Sequence, residues 1–174
     1  MVVPLQKIID DIPKPVLEAI SRFSCRDLDV ETFLKNKAFE FERRNKSRTY
    51  LIFGDDDTLW GYFTISLKAL PFTSSVSKSM VKNIDGFSKD IQAVGIILIG
   101  QFGKDAVLAK DVSGAELLDM CVKTIYEAQK FVGGRFVLLE CQNIDKIVKF
   151  YQDNGFEFLQ YDERDKYFQM IRKL

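Results

Sequence analysis

The residues best suited to chemistry lie near the C-terminal end of the chain. The run Phe150-Tyr151-Gln152-Asp153-Asn154-Gly155-Phe156 closes a helical pattern and opens a strand. Asn154-Gly155 is a typical helix stop, because glycine tolerates the left-handed backbone that ends a helix. Tyr151 lies one helical turn before that stop, so its phenol can face whatever lies beside the helix.

The chain contains no histidine, and this absence excludes several kinds of active site. Ser-His and Cys-His nucleophilic systems, HExxH zinc sites and Cys/His zinc fingers all need it. Proton transfer must therefore use Tyr, Cys, Lys, a carboxylate, the backbone or water. Three aspartates, Asp55-Asp56-Asp57, fall at the tip of a predicted hairpin, where acidic residues are common, and we predict no metal site there.

Composition indicates one domain with a ring-rich core, since 47% of the 174 residues are hydrophobic and 15 are Phe. The 25 basic residues balance the 25 acidic ones, which argues against nucleic acid as a partner, and the basic run over 43–48 reads as a solvated face. Cys25, Cys121 and Cys141 are widely spaced and fit a reducing compartment. No apolar run is long enough to cross a membrane and residues 1–14 do not resemble a signal peptide, so we expect a cytoplasmic protein.

Hydrophobic periodicity predicts the elements that must position Tyr151. We predict helices over 13–24, from about 29 to 45, over 114–132 and over 144–152, and strands over 46–53, 59–70, 93–102, 136–141, 156–161 and 167–171. A long polar connection spans 71–92. The strand over 93–102 is almost entirely apolar, which indicates burial on both faces, whereas the apolar residues over 63–69 alternate, as in a half-buried strand. This order predicts an α/β fold with a mixed sheet.

The order and several particular residues resemble the GNAT family of acyl-CoA N-acyltransferases, from about Val30 to the end of the chain. Members often carry a tyrosine four residues before Gly-Phe, as Tyr151 stands before Gly155-Phe156. The segments over 99–105 and 138–143 resemble the family's fourth strand and its fifth strand with the Asn-containing exit. The resemblance implies one GNAT-like domain over residues 1–174. Its sheet would be mixed and mostly antiparallel, with a splayed pair of parallel strands and flanking helices.

The family's coenzyme A loop reads Q/R-x-x-G-x-G/A, and this chain matches it only in part. With the final glycine on Gly114, a Leu-Leu pair falls where the family has one, but Val112 replaces the middle glycine. We expect such a valine to be strained or to push a bound phosphate outward. A register that ends on Ala115 fits no better. Ser113 and Glu116 also form an S-x-x-E capping box, in which the two residues satisfy backbone donors themselves.

The resemblance implies transfer of an acetyl group from acetyl-CoA to a primary amine by direct attack, in a cleft between the two parallel strands. Tyr151 would be the general acid that protonates the departing thiolate, and backbone N–H groups near 102–104 would polarise the thioester. No general base is assigned to Glu140, Cys141 or any other residue. The cofactor-binding residues that the resemblance implies are Phe102, Gly103, Lys104, Val112, Ser113, Gly114, Ala115 and Asn143.

Two alternatives remain open at this point. The degraded glycine loop and the missing base favour a non-catalytic GNAT-like binding or partner module. The other alternative is a toxin-like enzyme that acetylates aminoacyl-tRNA, resembling the small bacterial toxins of the family, and the balanced charge counts against it. Otherwise the acceptor is a small-molecule or protein amine, in a pocket lined by the first helices and residues 71–92. A homodimer is also left open, since dimers are common in the family.

Overall fold

A seven-stranded sheet in the order β1-β2-β3-β4-β5-β7-β6 organises the protein in the computed structural model, which describes residues 1–174. The strands are β1 Val2–Pro4, β2 Arg48–Phe53, β3 Leu59–Pro71, β4 Ala93–Lys104, β5 Phe136–Cys141, β6 Glu157–Asp162 and β7 Tyr167–Lys173. The helices are α1 Lys14–Arg22, α2 Leu28–Asn36, α3 Ala38–Arg43, α4 Lys78–Asp85, α5 Gly114–Val132 and α6 Asp145–Asp153, and a 3-10 turn spans Leu5–Lys7.

The pairing of the strands confirms the predicted mixed sheet with one parallel pair. Strands β4 and β5 are parallel, in a register that joins Ile97 to Val137 and Ile99 to Leu139. The pairs β1–β2, β2–β3, β5–β7 and β6–β7 are antiparallel. Helix α5 and strand β5 have the bounds that the sequence predicts. No helix combines the length and the apolar character that crossing a membrane requires.

Contacts divide the chain into two compact units, each with its own apolar cluster. The first unit comprises Met1–Ser66 and Gly100–Ile125, and the second comprises Leu67–Ile99 and Tyr126–Leu174. Buried residues of the first cluster are Leu5, Ile20, Phe23, Leu34, Ala38, Leu51, Phe53, Leu59 and Tyr62. Buried residues of the second cluster are Leu70, Ile84, Ile96, Phe136, Leu138, Leu159 and Ile171.

The single helix expected from about 29 to 45 is wrong, because the chain forms α2 and α3 there. Lys37 separates them with φ −123° and ψ −28°, outside the helical region. Glu42 of α3 is buried, and its carboxylate accepts the Thr49 N–H at 2.7 Å and the Arg48 guanidinium at 2.8 Å. These bonds attach α3 to strand β2. Helical spacing of apolar residues continues across the break, so periodicity alone could not reveal it.

Two burial patterns also differ from those that the sequence predicts. Strand β4 is not buried on both faces, since Ala93, Gly95 and Gly100 are exposed. The alternation expected in β3 fails in its second half, where Leu67 is 75% exposed. The side chain of Lys68, on the face expected to be solvated, is only 25% exposed because it forms an ion pair with Glu140. The short strand β1 was not predicted.

Asp105 directly follows β4, and its buried carboxylate connects separate segments of the first unit. Its side chain is 2% exposed. One carboxylate oxygen accepts the N–H of Ser24 at 2.9 Å, and the other accepts those of Val107 and Leu108 at 2.8 and 2.6 Å. The Asp105 N–H in turn donates to the Trp60 carbonyl at 2.8 Å. One side chain therefore fixes both the end of β4 and the start of the following loop.

We expect Asp105→Ala to lower the free energy of unfolding by about 2–4 kcal/mol, because it removes the acceptor of three part-buried backbone hydrogen bonds. Urea denaturation followed by circular dichroism measures the loss. Asp56→Ala is the matched control, since that exposed carboxylate contacts only Thr58 at a hairpin tip. Equal losses from the two substitutions would contradict the role assigned to Asp105.

Candidate functional site

The helix stop after Tyr151 forms as the sequence predicts. Helix α6 ends at Asp153, and Gly155 follows with φ +82°, in the left-handed region. The Phe156 N–H then donates to the Tyr151 carbonyl at 3.0 Å, and the Gly155 N–H donates to the Gln152 carbonyl at 3.0 Å. The glycine is required here because a side chain at this φ would strain the backbone.

Aromatic and polar neighbours within the second unit hold Tyr151 in place. Its ring makes edge contacts with the rings of Phe150 and Phe156, at centroid distances of 5.1 and 5.9 Å. Asn154 donates its side-chain N–H to the Phe150 carbonyl at 2.7 Å, and its own carbonyl accepts the Arg172 guanidinium at 3.0 Å. Tyr151 itself is half-buried. A phenol held in this way can donate a proton from a defined position.

The start of α5, in the first unit, carries the capping box that the sequence predicts. The Glu116 carboxylate accepts the Ser113 N–H at 2.7 Å, and the Ser113 hydroxyl accepts the Glu116 N–H at 3.1 Å. The Ser113 N–H, then its hydroxyl, and more weakly the Lys104 ammonium hold the pKa of Glu116 below its usual range. An internal carboxylate therefore occupies one of the backbone donors at the start of this helix.

Of the two consequences expected for Val112, backbone strain is absent, and displacement of a bound phosphate stays a prediction. Positive φ values among non-glycine residues occur at Asn45, Asp57 and Lys166, and Val112 is not one of them. Its side chain is 4% exposed. The loop over 105–113 therefore turns without a left-handed residue and buries the valine. The N–H groups of Gly114 and Ala115, at the first turn of α5, carry no hydrogen bond within the chain.

Gly103 is required by packing within the first unit. A Cβ at this position would lie 2.7 Å from Cγ1 of Val30 and 3.2 Å from the ring of Tyr62. Its two neighbours, Phe102 and Lys104, are both half-buried. Close approach of the core to the end of β4 is thus a reason for this glycine that is independent of any ligand.

The remaining candidate residues belong to the second unit. Asn143 is exposed in the loop between β5 and α6. Cys141 is buried against the sulfur of Met170 at 3.7 Å, and burial raises the pKa of its thiol to about 11, so it is a packing residue and not an activated nucleophile. Burial also raises the thiol pKa values of Cys121 and Cys25.

Sequence reasoning missed a polar network that includes Glu140. One oxygen of that carboxylate accepts both the Lys68 ammonium at 2.5 Å and the side-chain amide of Gln169 at 2.7 Å. The three residues lie on different strands, and Lys68 and Glu140 are 72 residues apart in sequence. The alternation in β3 places Lys68 on the face expected to be solvated, so the sequence carries no signal of this pairing. No group of three or more Cys, Asp or Glu side chains is arranged to hold a metal ion.

Candidate residues therefore fall into two sets, one in each unit. Residues of β4 and the start of α5 belong to the first unit: Phe102, Gly103, Lys104, Val112, Ser113, Gly114 and Ala115. Tyr151 and Asn143 belong to the second. Within each set the local geometry is well defined by the contacts given above.

Comparison with known proteins gives matches among solved structures alone. No family model matches the chain, and no curated protein matches it. A bacterial toxin superposes with TM-score 0.75 at 16% identity, covering 99% of this chain and 90% of that one. A mutant of KacT superposes with TM-score 0.73 at 21% identity, covering 99% and 94%. AtaT complexed with acetyl-methionyl-tRNAfMet superposes with TM-score 0.67 at 21% identity, covering 86% and 85%.

Other AtaT structures among the matches contain further molecules. One holds acetyl-CoA together with the C-terminus of the antitoxin AtaR, and another holds the AtaT–AtaR complex bound to DNA. Tyrosine-to-phenylalanine mutants of both AtaT and KacT are also among them. At 16–21% identity these likenesses establish architecture. The chain therefore has a GNAT-like fold, as its sequence resemblance implies.

Proposed function

We propose that this chain is an acetyl-CoA-dependent N-acetyltransferase in which residues 1–174 act as one domain. The observation that carries the proposal is Tyr151, held at the end of α6 by a left-handed Gly155, in a fold shared with a toxin that is seen with acetyl-CoA. Structures of tyrosine-to-phenylalanine mutants of AtaT and KacT support the choice of a tyrosine as the candidate catalytic residue. Three free cysteines and the likeness to a bacterial toxin support a bacterial cytoplasm as the setting.

Acetyl transfer can proceed here without a histidine, because it needs only a phenol as proton donor and backbone N–H groups. The acceptor nitrogen bonds to the thioester carbon, the C–S bond breaks, and its electron pair remains on sulfur. Tyr151 gives its proton to the thiolate, which is feasible because thiols have pKa values of about 8.5 and phenols of about 10. The proton lost by the amine passes to water, which also restores the phenol. Orienting the two reactants supplies a large share of the rate gain.

The start of α5 has donors that fit the pyrophosphate of coenzyme A. The N–H groups of Gly114 and Ala115 are open, and the positive end of the helix dipole favours an anion. These donors belong to the backbone, so they do not depend on the glycines that the loop lacks. Glu116 opposes the same anion, because its carboxylate is ionised at neutral pH. Because the pKa of Glu116 is lowered, this carboxylate loses its charge only when the pH falls below the ordinary carboxyl range.

One observation supports aminoacyl-tRNA as a candidate acceptor. AtaT, which shares the fold, is seen with acetyl-methionyl-tRNAfMet. The balanced net charge of this chain limits nonspecific attraction to nucleic acid, and several cations of the basic run over 43–48 are engaged within the chain. Specific contacts do not require a net positive charge. A charged tRNA therefore joins small-molecule and protein amines as a candidate acceptor.

Radiolabelled acetyl-CoA distinguishes these acceptors. We expect label to move onto a primary amine when the protein is incubated with charged tRNA, uncharged tRNA, polyamines and a lysine-rich protein in parallel. If charged tRNA becomes labelled and uncharged tRNA does not, the acceptor is the α-amine of the aminoacyl group. If calorimetry detects no acetyl-CoA binding at millimolar concentration, the enzyme proposal fails and a non-catalytic partner module becomes the better interpretation.

Tyr151→Phe should lower kcat by about 100-fold, the lower end of what a general acid contributes. It should leave the Kd for acetyl-CoA within about twofold, because the phenylalanine keeps the ring contacts with Phe150 and Phe156. Tyr126→Phe, at an exposed position on α5, is the control and should change neither quantity. Steady-state kinetics and calorimetry on the same preparations test this. An unchanged kcat in the Tyr151 variant removes the proposed acid.

Glu116→Gln should bind acetyl-CoA about two- to fivefold more tightly than the natural protein, because it removes a screened negative charge beside the phosphate donors. Glutamine also keeps the capping box, so the helix start should persist. Glu127→Gln on the same helix is the matched control, since that exposed carboxylate pairs with Lys130 far from the helix start. Equal or weaker binding by the Glu116 variant would show that the start of α5 does not hold the phosphates.

A further inference from the structure

The polar network around Glu140 is not used by the proposed mechanism. It comprises Lys68 of β3, Glu140 of β5, Gln169 of β7 and Gln160 of β6, all in the second unit. Both glutamines are 2% exposed, whereas the side chains of Lys68 and Glu140 are 25% and 19% exposed. A carboxylate on the central parallel strand pair is therefore within reach of solvent while its supporting amides are buried.

The two oxygens of Glu140 are not equivalent. Oε1 accepts hydrogen bonds from Lys68 at 2.5 Å and from Gln169 at 2.7 Å. Oε2 has no hydrogen-bond partner within the chain. By contrast, both oxygens of the buried Glu42 are engaged, and so are both oxygens of Asp105. Glu140 therefore keeps one acceptor open, unlike these two carboxylates.

The amide that orients Glu140 is itself fixed. Gln169 accepts the Gln160 amide N–H at 2.6 Å and also donates to Asp162 at 3.2 Å. Gln160 in turn donates to the Pro71 carbonyl at 2.8 Å and accepts the Thr73 N–H at 2.9 Å. Gln160 and Gln169 therefore hold the Glu140 carboxylate in position through Oε1, and a ligand that binds Oε2 need not break these hydrogen bonds.

The Lys68 ammonium is the only cation that contacts Glu140 in this network. A lysine head sits on a flexible four-carbon stem and loses rotamer entropy when it is held in one position. Another ammonium that brings its own contacts can therefore share or replace it on the carboxylate. Asp162 is the other carboxylate near Gln169, and its second oxygen caps the turn at Arg164 and Asp165. Glu140 is thus the carboxylate with capacity for a cation.

We propose that Glu140 binds the ammonium group of the acceptor amine through Oε2, and that the Lys68 ammonium on Oε1 weakens this binding by competing for the same carboxylate charge. The inference rests on the proposed acetyl transfer. Oε2 accepts an N–H of the ammonium, Gln169 holds the carboxylate in position, and the ammonium then loses a proton to water before its nitrogen attacks the thioester. Glu140 is a positioning residue that favours protonated primary amines over neutral acceptors.

Nuclear magnetic resonance tests the site with methioninamide, a primary ammonium, and with neutral N-acetylmethioninamide. We expect methioninamide to shift the side-chain amide signals of Gln169 in a saturable way, and the neutral compound to leave them in place. The side-chain amide of Gln129, which donates to the Gly134 carbonyl, is the internal control and should not move. Glu140→Gln should abolish the shift. Gln169 signals that ignore methioninamide, or that still shift in this variant, overturn the proposal.

Lys68→Met gives a second readout that does not depend on whether the Glu140 variant folds. Removing the internal ammonium should lower the Kd for methioninamide by about threefold or more, because the competitor for the carboxylate is gone. An unchanged or raised Kd contradicts the role assigned to Lys68. Acetyl-CoA calorimetry on the same samples separates the two proposals. If acetyl-CoA binds but methioninamide does not shift the Gln169 signals, only the role of Glu140 is rejected. If the Gln169 signals shift but acetyl-CoA does not bind, the proposed acetyltransferase activity is rejected.

Discussion

Parallel pairing of β4 with β5 constrains the rest of the chain. Parallel neighbours cannot be joined by a tight turn, so the chain must leave the end of β4, cross over and return. The crossover contains the 19-residue helix α5, and it delivers β5 in the register that joins Ile97 to Val137. The loop that begins this crossover is held by the Asp105 carboxylate, which bonds to three backbone N–H groups. The crossover that the parallel pair requires therefore begins with a loop whose backbone is fixed by a buried carboxylate.

Carboxylates accept many of the side-chain hydrogen bonds in this chain, which has no histidine. They differ in burial and in the number of oxygens that are engaged. Glu42 and Asp105 are buried with every oxygen engaged, so they attach segments of the first unit to each other. Glu116 is exposed and satisfies the first turn of its own helix. Glu140 differs from all three, because its position is fixed by buried amides while one oxygen stays open. Buried carboxylates with both oxygens engaged therefore act as structural links, whereas Glu140 combines a fixed position with an open acceptor.

Elements with local end signals could be predicted from the sequence. Helix α5 lies between a capping box and Gly133, which has φ +72°, and its predicted bounds are those observed. The break at Lys37 has no such signal, since the apolar stripe continues through it. Contacts between distant segments were equally out of reach: Asp105 meets Ser24 at a separation of 81 residues, and the Lys68–Glu140 pair depends on where two non-adjacent strands lie. The predicted sites followed local motifs, whereas the unpredicted ones arise from tertiary pairing.

The Val112 position shows why a degraded motif need not mean a lost site. The consensus glycine was expected to matter through its freedom to adopt positive φ, yet the loop over 105–113 reaches α5 without any left-handed residue. What a pyrophosphate needs is backbone N–H groups and a helix dipole, and these survive any substitution except proline. For the proposed phosphate site, the departure that matters chemically is then Glu116 and not the valine, because the Glu116 carboxylate takes the Ser113 N–H and carries a negative charge. A sequence motif records which residues are glycines. Phosphate binding depends instead on which backbone N–H groups remain open, and in this chain these are the N–H groups of Gly114 and Ala115.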